Sequence, residues 1–451
     1  MTTHDVLVIG GGFTGMALAA AFANGRRNIL VLEARNGPDP RFRGELIHPP
    51  GVRELDALGF LSEMRKAGGE EVRGFAVVPA ADRGAVELPY EPPPNGPGMG
   101  YAMDHQHMVD VMRSVVAKLP RVEIRTGERA TDVIREHGRI VGVKTQNGEF
   151  RANLTLIAEG RLSKLRGVLG LDGEMTLLSY SVALLAKGAR LPHPGHGHVV
   201  IGAPGPVLAY PIGHAVRFCI DVPTDTERGR EAITRRLREE YAPVLPPLLR
   251  AALFDGLDHG HLELCATQQL RTSKCVLPGV ALVGDAGGCS HPITATGMTT
   301  SLHDVRTLVN AIDKFGEKEG LDLALETYER DRYRYVRQGE ILTERLYDVF
   351  LGREDGFRTL RDGMLEYWQG AARARNASMA LLAGHDTSIS SFAREFTTVF
   401  GYATRAALRA SGPEGGRRTL RDRLRIVREM TNATADTLKR ATSTAVREVM
   451  R

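Results

Sequence analysis

The apolar positions of this chain fall into runs of two kinds. Near the N-terminus, Asp5-Val6-Leu7-Val8-Ile9 and Asn28-Ile29-Leu30-Val31-Leu32-Glu33 are short, unbroken and β-branched. Such runs predict strands buried on both faces. Between them, Met16-Ala17-Leu18-Ala19-Ala20-Ala21-Phe22-Ala23 predicts a tightly packed helix ending at Asn24-Gly25. The buried-strand pattern returns at 154–158 and 280–283. From 176 to 270 apolar and polar positions alternate instead, with a strong strand at 215–222 and one charged helix at 224–241. Alternation is the mark of half-buried strands. Beyond 336 the period is helical, and Phe392, Phe396, Val399 and Phe400 share one helix face, read here as core packing.

Smaller pieces complete the pattern. A loop is expected at 38–50, a helix at 52–59, strands at 72–78 and 85–90, and a Pro/Gly-rich stretch at 92–100. A helix over 104–119 has Asp104 as its N-cap, and 122–124 with 132–150 suggests an antiparallel excursion. There is no internal repeat.

The first two strands and their helix enclose Gly10-Gly11-Gly12-Phe13-Thr14-Gly15, in which Gly10, Gly12 and Gly15 fit G-x-G-x-x-G. The strand–turn–helix context makes this a dinucleotide site: the turn brings backbone and a helix N-terminus to a pyrophosphate. Glu33 ends the second strand about 20 residues on, where a carboxylate binds ribose hydroxyls. Ala34 and Arg35 follow it in the expected cofactor set. The motif does not separate FAD from NAD.

Two later stretches do. Gly284-Asp285 follows a buried strand, and Asp285 is placed to reach a flavin ribityl hydroxyl. The turn from Pro292 to Gly297-Met298 sets backbone N–H groups and a helix N-terminus at the flavin edge that becomes negative on reduction. The expected architecture is α/β, α+β overall. A discontinuous Rossmann-like FAD-binding domain (1–70, 96–175, 275–335) would carry an inserted β-sheet substrate domain (71–95, 176–274) and a C-terminal helical region (336–451).

These segments resemble flavoprotein monooxygenases of the para-hydroxybenzoate-hydroxylase-like fold, and among them the squalene epoxidases and their bacterial relatives. Arg41-Phe42-Arg43-Gly44-Glu45-Leu46-Ile47-His48-Pro49-Pro50-Gly51 is similar to the family's R-x-x-G-E-L-L-Q-P-G-G. Residues 158–166 resemble A-D-G-x-x-S-K-x-R. Tyr210-Pro211-Ile212 and Asp221-Val222-Pro223 resemble its Y-Q-I and V-D-V-P strands. Residues 284–299 resemble G-D-A-x-x-x-R-H-P-L-T-G-G-G-M-T. The resemblance implies that Arg41, Glu159, Asp285 and Met298 touch FAD, with Arg166 near the cofactor face. Glu159 replaces the usual aspartate, and Gln106 or His107 stands where an arginine is common. Phe75 replaces a tyrosine; Phe75 and Tyr210 are the expected substrate residues.

The implied activity is transfer of one oxygen atom from O2, through a flavin C4a-hydroperoxide, by epoxidation or hydroxylation. The implied substrate is largely apolar: a terpenoid, polyene or prenylated aromatic, in secondary metabolism. NAD(P)H is the expected electron donor, directly or through a separate reductase. No protein nucleophile is needed. His48 is the one candidate base, should the substrate need one. The alternatives are an FAD-dependent reductase of isoprenoid double bonds and, more distantly, a halogenase or a non-catalytic flavin protein. Trp368 is the only tryptophan, which excludes the halogenase W-x-W-x-I-P segment.

Composition changes little. No CxxC pair occurs among Cys219, Cys265, Cys275 and Cys289, which fits a reducing compartment. His193, His196 and His198 lie in a Pro/Gly turn and read as a solvated loop, so no metal is expected. Neither a secretory leader nor a membrane-spanning run is apparent, and a cytoplasmic location is expected. The net charge of +5 concentrates after Arg405, at Arg417, Arg418, Arg421, Arg423, Arg425 and Arg428. Without a recognition motif this does not point to nucleic acid; peripheral contact with an anionic membrane through basic helices is the expectation it raises.

Overall fold

The computed structural model describes residues 3–23, 27–39, 41–79, 84–91, 98–316, 320–409 and 419–449. The expected helix end at Asn24-Gly25, residues 92–97 of the Pro/Gly-rich stretch, and Arg417 and Arg418 lie outside the described residues. The chain divides into two compact units. Residues 1–70, 103–177 and 268–336 form the first, and 71–102, 178–267 and 337–451 the second.

In the first unit five parallel strands run in the order Val280–Leu282, Gly148–Ile157, Thr3–Ile9, Ile29–Glu33, Val122–Thr126. Leu7, Val8, Leu30, Val31, Leu156 and Ile157 are fully buried, as unbroken apolar runs require of strands covered on both faces. The antiparallel excursion is present: Ala130–Glu136 pairs with Arg139–Thr145, which pairs with Gly148–Ile157. The helix Phe13–Ala23 has no polar face and is buried nearly all round. Asp104 caps the helix His105–Val116 by accepting from the His107 N–H at 3.0 Å. The helix expected at 52–59 is Pro49–Ala57; its prolines sit in the first turn, where a missing N–H costs nothing.

The second unit holds a seven-stranded sheet in the order Leu262–Arg271, Glu174–Lys187, Ala215–Val222, Val207–Ile212, Gly197–Val200, Gly74–Val78, Val86–Pro89. Val182, Leu184, Phe218, Ile220 and Val222 form its core with Leu249, Leu253 and Leu257 of the helix Pro247–His259. That helix breaks the expected run of strands, because Pro246-Pro247 starts a helix here. The charged helix expected at 224–241 begins only at Arg230: Gly229 sits at φ 128°, a conformation closed to other residues, and the last turn, Leu237–Tyr241, is π-helical.

The 337–451 helices, expected as a separate region, group with this sheet as one unit. Helices Asp355–Gly370, Ala372–Leu382, Ile389–Leu408 and Leu420–Val449 make up most of it. Phe392 is buried with Ile341, Leu381 and Ala441, and its ring lies 5.8 Å from that of Phe396, so the aromatic stripe packs inward at these positions. Among the described residues no helix is long and apolar enough to cross a membrane.

Candidate functional site

The glycine turn explains itself atom by atom. A Cβ on Gly10, which has φ 107°, would lie 2.5 Å from the Ala158 carbonyl oxygen, and one on Gly15 would lie 1.8 Å from the Gly10 carbonyl oxygen. Both glycines therefore serve the fold, bringing the neighbouring strand and the helix into contact. Gly12 is different: a Cβ there would meet nothing within 4 Å. It faces open space at the start of the helix Phe13–Ala23, as a phosphate cradle requires.

Glu33 closes the loop from below. Its Oε2 accepts from the Gly11 N–H at 2.7 Å and its Oε1 from the Arg35 N–H at 2.8 Å. Each oxygen keeps a second lone pair for a hydroxyl. Arg113 donates from Nη2 to the Gly11 carbonyl at 3.2 Å. Arg41 pairs with Asp39, at 2.9 Å from Nε and 2.8 Å from Nη2. Arg35 and Arg43 share the same carboxylate. Desolvation raises the Asp39 carboxyl, but hydrogen bonds from Arg41, Arg35 and Arg43 outweigh it and hold it well below the usual range. Gln106 belongs to this cluster too, accepting from the Asp39 N–H at 2.9 Å.

At the same carboxyl edge of the parallel sheet, Gly284–Gly287 forms a single 3-10 turn after the strand Val280–Leu282, and a Cβ on Gly284 would lie 2.8 Å from Thr14 Oγ1. The Asp285 carboxylate accepts no hydrogen bond among the described residues, yet it is desolvated. Burial pushes its pKa up, and the nearby Arg161 and Arg43 pull it back. A half-buried carboxylate with idle lone pairs is a polar atom waiting for a donor. Opposite, the turn Pro292–Thr294 leads through Ala295, at φ 52°, into the helix Gly297–Phe315. Thr296 gives that helix no side-chain cap, and a Cβ on Gly297 would meet nothing within 4 Å. Met298 stands at the same helix start, its Cε 3.8 Å from where a Cβ on Gly44 would lie. An open glycine at each of two helix N-termini, with Glu33 and Asp285 as acceptors, fits FAD: one N-terminus for the pyrophosphate, the other for the anionic edge of the ring.

Several expected residues have other duties. Glu159 Oε2 accepts from Ser163 Oγ at 2.7 Å and from the Leu165 N–H at 3.3 Å, so one of its oxygens caps the helix Lys164–Val168. His48 is 1% exposed, and its Nε2 lies 2.6 Å from the Thr294 carbonyl oxygen. Only a protonated Nε2 makes that bond, so this nitrogen is a donor and not a base. Burial lowers its pKa to about 4, with the Thr294 carbonyl opposing. His48 thereby ties the turn before Gly297 in place through its Nε2. His291 does similar work, accepting from the Ile293 N–H at 3.1 Å. Burial and the Asp285 charge push the Cys289 thiol up to about 12, which removes thiolate chemistry.

In the second unit, Phe75 packs edge-on to Tyr90 at 6.3 Å, and the Tyr210 hydroxyl lies 3.6 Å from Cys219 Sγ. Both are buried in the sheet. Neither lines the cavity of about 500 Å³ bounded by Leu178, Ala203, Pro204, Pro223, Tyr347, Leu351 and Arg353. His193 pairs with Glu87 at 2.8 Å, and no group of His, Cys, Asp and Glu among the described residues could hold a metal ion.

Sequence reasoning missed Arg113, Arg161, Asp304 and Arg332. Arg161 lies inside the 158–166 motif without a role assigned from it; the other three stand in helices with exposed charged neighbours, and only the fold shows which member turns inward.

The fold and the two glycine-marked helix starts define an FAD-binding protein, and its relatives place it among the FAD-dependent monooxygenases. The family model described as squalene epoxidase matches residues 151–418, more than half of the chain, and one described as glucose inhibited division protein A matches residues 5–173. Squalene epoxidase 2, mitochondrial, of Arabidopsis thaliana is 30% identical over 411 residues, 88% of this chain and 70% of that protein. A squalene epoxidase of Schizosaccharomyces pombe is 27% identical over 413 residues, 88% of this chain and 90% of that protein. The structure of p-nitrophenol 4-monooxygenase from Pseudomonas putida shares the fold, with a TM-score of 0.71 at 19% identity, over 88% of this chain and 99% of that one. The chain belongs to the squalene epoxidase family. The reductase alternative is not favoured by these relatives.

Proposed function

We propose that this monooxygenase inserts one oxygen atom from O2 into a largely apolar substrate, a terpenoid, polyene or prenylated aromatic, by epoxidation or hydroxylation, in secondary metabolism. The observation that carries the reading is the match to squalene epoxidases over 88% of the chain. In this reading the first unit binds FAD and the second supplies the substrate pocket. FAD, when bound, supplies the oxygen-activating chemistry.

The chain's own residues position it. The open N-terminus at Gly12 takes the pyrophosphate, Glu33 takes ribose hydroxyls, and Asp285 takes a ribityl hydroxyl. The uncapped N-terminus at Gly297-Met298 faces the ring edge where charge gathers, a stabilisation set before reaction begins. No protein base is required for an isolated alkene, which agrees with a His48 committed to Thr294. Electrons come from NAD(P)H or through a separate reductase. The location is cytoplasmic. Exposed Leu420 and Leu424, beside Arg421 and Arg428 on the helix Leu420–Val449, suit peripheral contact with an anionic membrane.

Oxygen uptake coupled to NAD(P)H oxidation, with a panel of apolar alkenes and a supplied reductase, tests the reading. Substrate-stimulated uptake supports it. Stoichiometric reduction of an alkene without oxygen overturns it in favour of a reductase.

A further inference from the structure

One turn of the helix Leu321–Leu351 grips the segment that presents Asp285. Tyr328 donates from its hydroxyl to the Leu282 carbonyl at 2.9 Å. Glu329 Oε1 accepts from the Cys275 N–H at 2.6 Å and from the Val276 N–H at 3.2 Å. Arg332, one turn on and 4% exposed, donates to the carbonyls of Gly287 at 2.8 Å, Gly284 at 3.1 Å and Gly288 at 3.4 Å. Its Nε is 2.8 Å from Asp304 Oδ2, and the same oxygen accepts from the Gly284 N–H at 2.9 Å. Two further donors reach the turn: Arg166 Nη1 to the Ala286 carbonyl at 3.2 Å, and Thr272 Oγ1 to the Gly287 carbonyl at 2.6 Å.

The Asp285 carbonyl accepts from the Gly288 N–H at 3.3 Å. Every carbonyl from Gly284 to Gly288 is thus held by the protein. In a trans peptide the C=O and the following N–H point in opposite directions. With the Gly284 carbonyl drawn to Arg332, the Asp285 N–H points the other way.

A buried guanidinium is costly and is retained only with full pairing. Here Asp304 neutralises it and takes its Nε–H, while the loop carbonyls take three of its four Nη N–H groups. Gly287 leaves the room: a Cβ there would lie 3.0 Å from the Arg332 guanidinium carbon.

We propose that Arg332 and Asp304, with Thr272, are positioning residues for the flavin: they draw the Gly284–Gly288 carbonyls inward so that the Asp285 amide and carboxylate face the cofactor. The proposal rests on the reading of this turn as part of the FAD site. It predicts a site whose donors are aimed before FAD arrives, with affinity and flavin environment both set from behind the loop.

The test uses the full-length protein, free FAD and two gentle variants. Arg332→Lys keeps the charge opposite Asp304 but cannot reach three carbonyls. Thr272→Val removes a single donor to the Gly287 carbonyl. FAD binding is followed by quenching of flavin fluorescence, and the environment by the visible absorption bands and the reduction potential of the bound flavin. The expected result is affinity about 10-fold weaker for Arg332→Lys and about 3-fold weaker for Thr272→Val, with shifted bands and potential in the FAD-saturated proteins. Wild-type affinity, bands and potential in the folded variants would overturn the proposal while leaving the FAD reading intact. Should Arg332→Lys fail to fold, Thr272→Val decides alone. A wild-type protein that binds no FAD overturns the FAD reading itself, and the proposal with it.

Discussion

Arg113 Nη2 donates to the carbonyl of Gly11 at 3.2 Å, across 102 positions of sequence. The bond fixes the peptide between Gly11 and Gly12, and the Gly12 N–H is thereby turned away from Arg113. The same device recurs at the neighbouring turn, where Arg332 fixes the peptide after Gly284. In both places a buried or half-buried arginine behind the loop aims an amide in front of it.

Removing that arginine therefore weakens cofactor binding. Arg113→Met loses a charge-assisted bond of about 1.5–3 kcal/mol, so FAD affinity falls about 10- to 100-fold. Equilibrium titration with FAD checks this. Unchanged affinity in a folded variant would mean that the loop aims itself.

The three glycines of the turn separate fold from function. Gly10→Ala and Gly15→Ala force a Cβ to 2.5 Å and 1.8 Å from carbonyl oxygens, and the FAD-free protein should lose several degrees of melting temperature or fail to fold. Gly12→Ala meets no protein atom within 4 Å, so the FAD-free melting temperature holds. Its FAD affinity should nevertheless drop on the order of 100-fold, because the methyl occupies the phosphate's approach. Melting curves with and without FAD distinguish the two outcomes.

Asp285 works against stability in the absence of cofactor. Burial raises its folded pKa above the unfolded value, so its contribution is fully present below the unfolded pKa and is lost as pH rises through the folded one. At neutral pH Asp285→Asn should therefore melt at or above the wild-type temperature without FAD, and the difference should vanish towards about pH 4. FAD affinity should fall in the same variant. A variant less stable than wild type at neutral pH would show that the carboxylate is paired in the fold.

His48 gives the opposite sign. Its folded pKa is depressed from 6.5 to about 4, so the neutral ring stabilises the fold fully above the unfolded value, and that stability is lost as pH falls towards about 4. His48→Gln keeps an N–H donor for Thr294 and should retain most activity. His48→Ala loses about 1–3 kcal/mol of stability from the abandoned carbonyl. A loss of about 10²- to 10⁴-fold in turnover for both variants, with folding intact, would restore His48 as a general base.

The buried strands at 5–9, 154–158 and 280–283, and the glycine turn after the first of them, were legible because a strand covered on both faces is almost wholly apolar. Asp104 announced its helix in the same way, as a cap with a mechanism. The helix Pro247–His259 was not legible, since Pro246-Pro247 marks a break and a helix start equally well. At the site, glycines and the two acceptors Glu33 and Asp285 could be read from spacing. The donors behind the loops could not. Arg332 sits in Glu329-Arg330-Asp331-Arg332, where Arg330 is half exposed and Arg332 buried, and no local pattern distinguishes them.

The most direct measurement is mass spectrometry of the product formed from an apolar alkene substrate by FAD-loaded protein, reductant and ¹⁸O2. The account predicts a single ¹⁸O atom in the product, and none when the label is in water. A reduced product free of label, or label arriving from water, would contradict it.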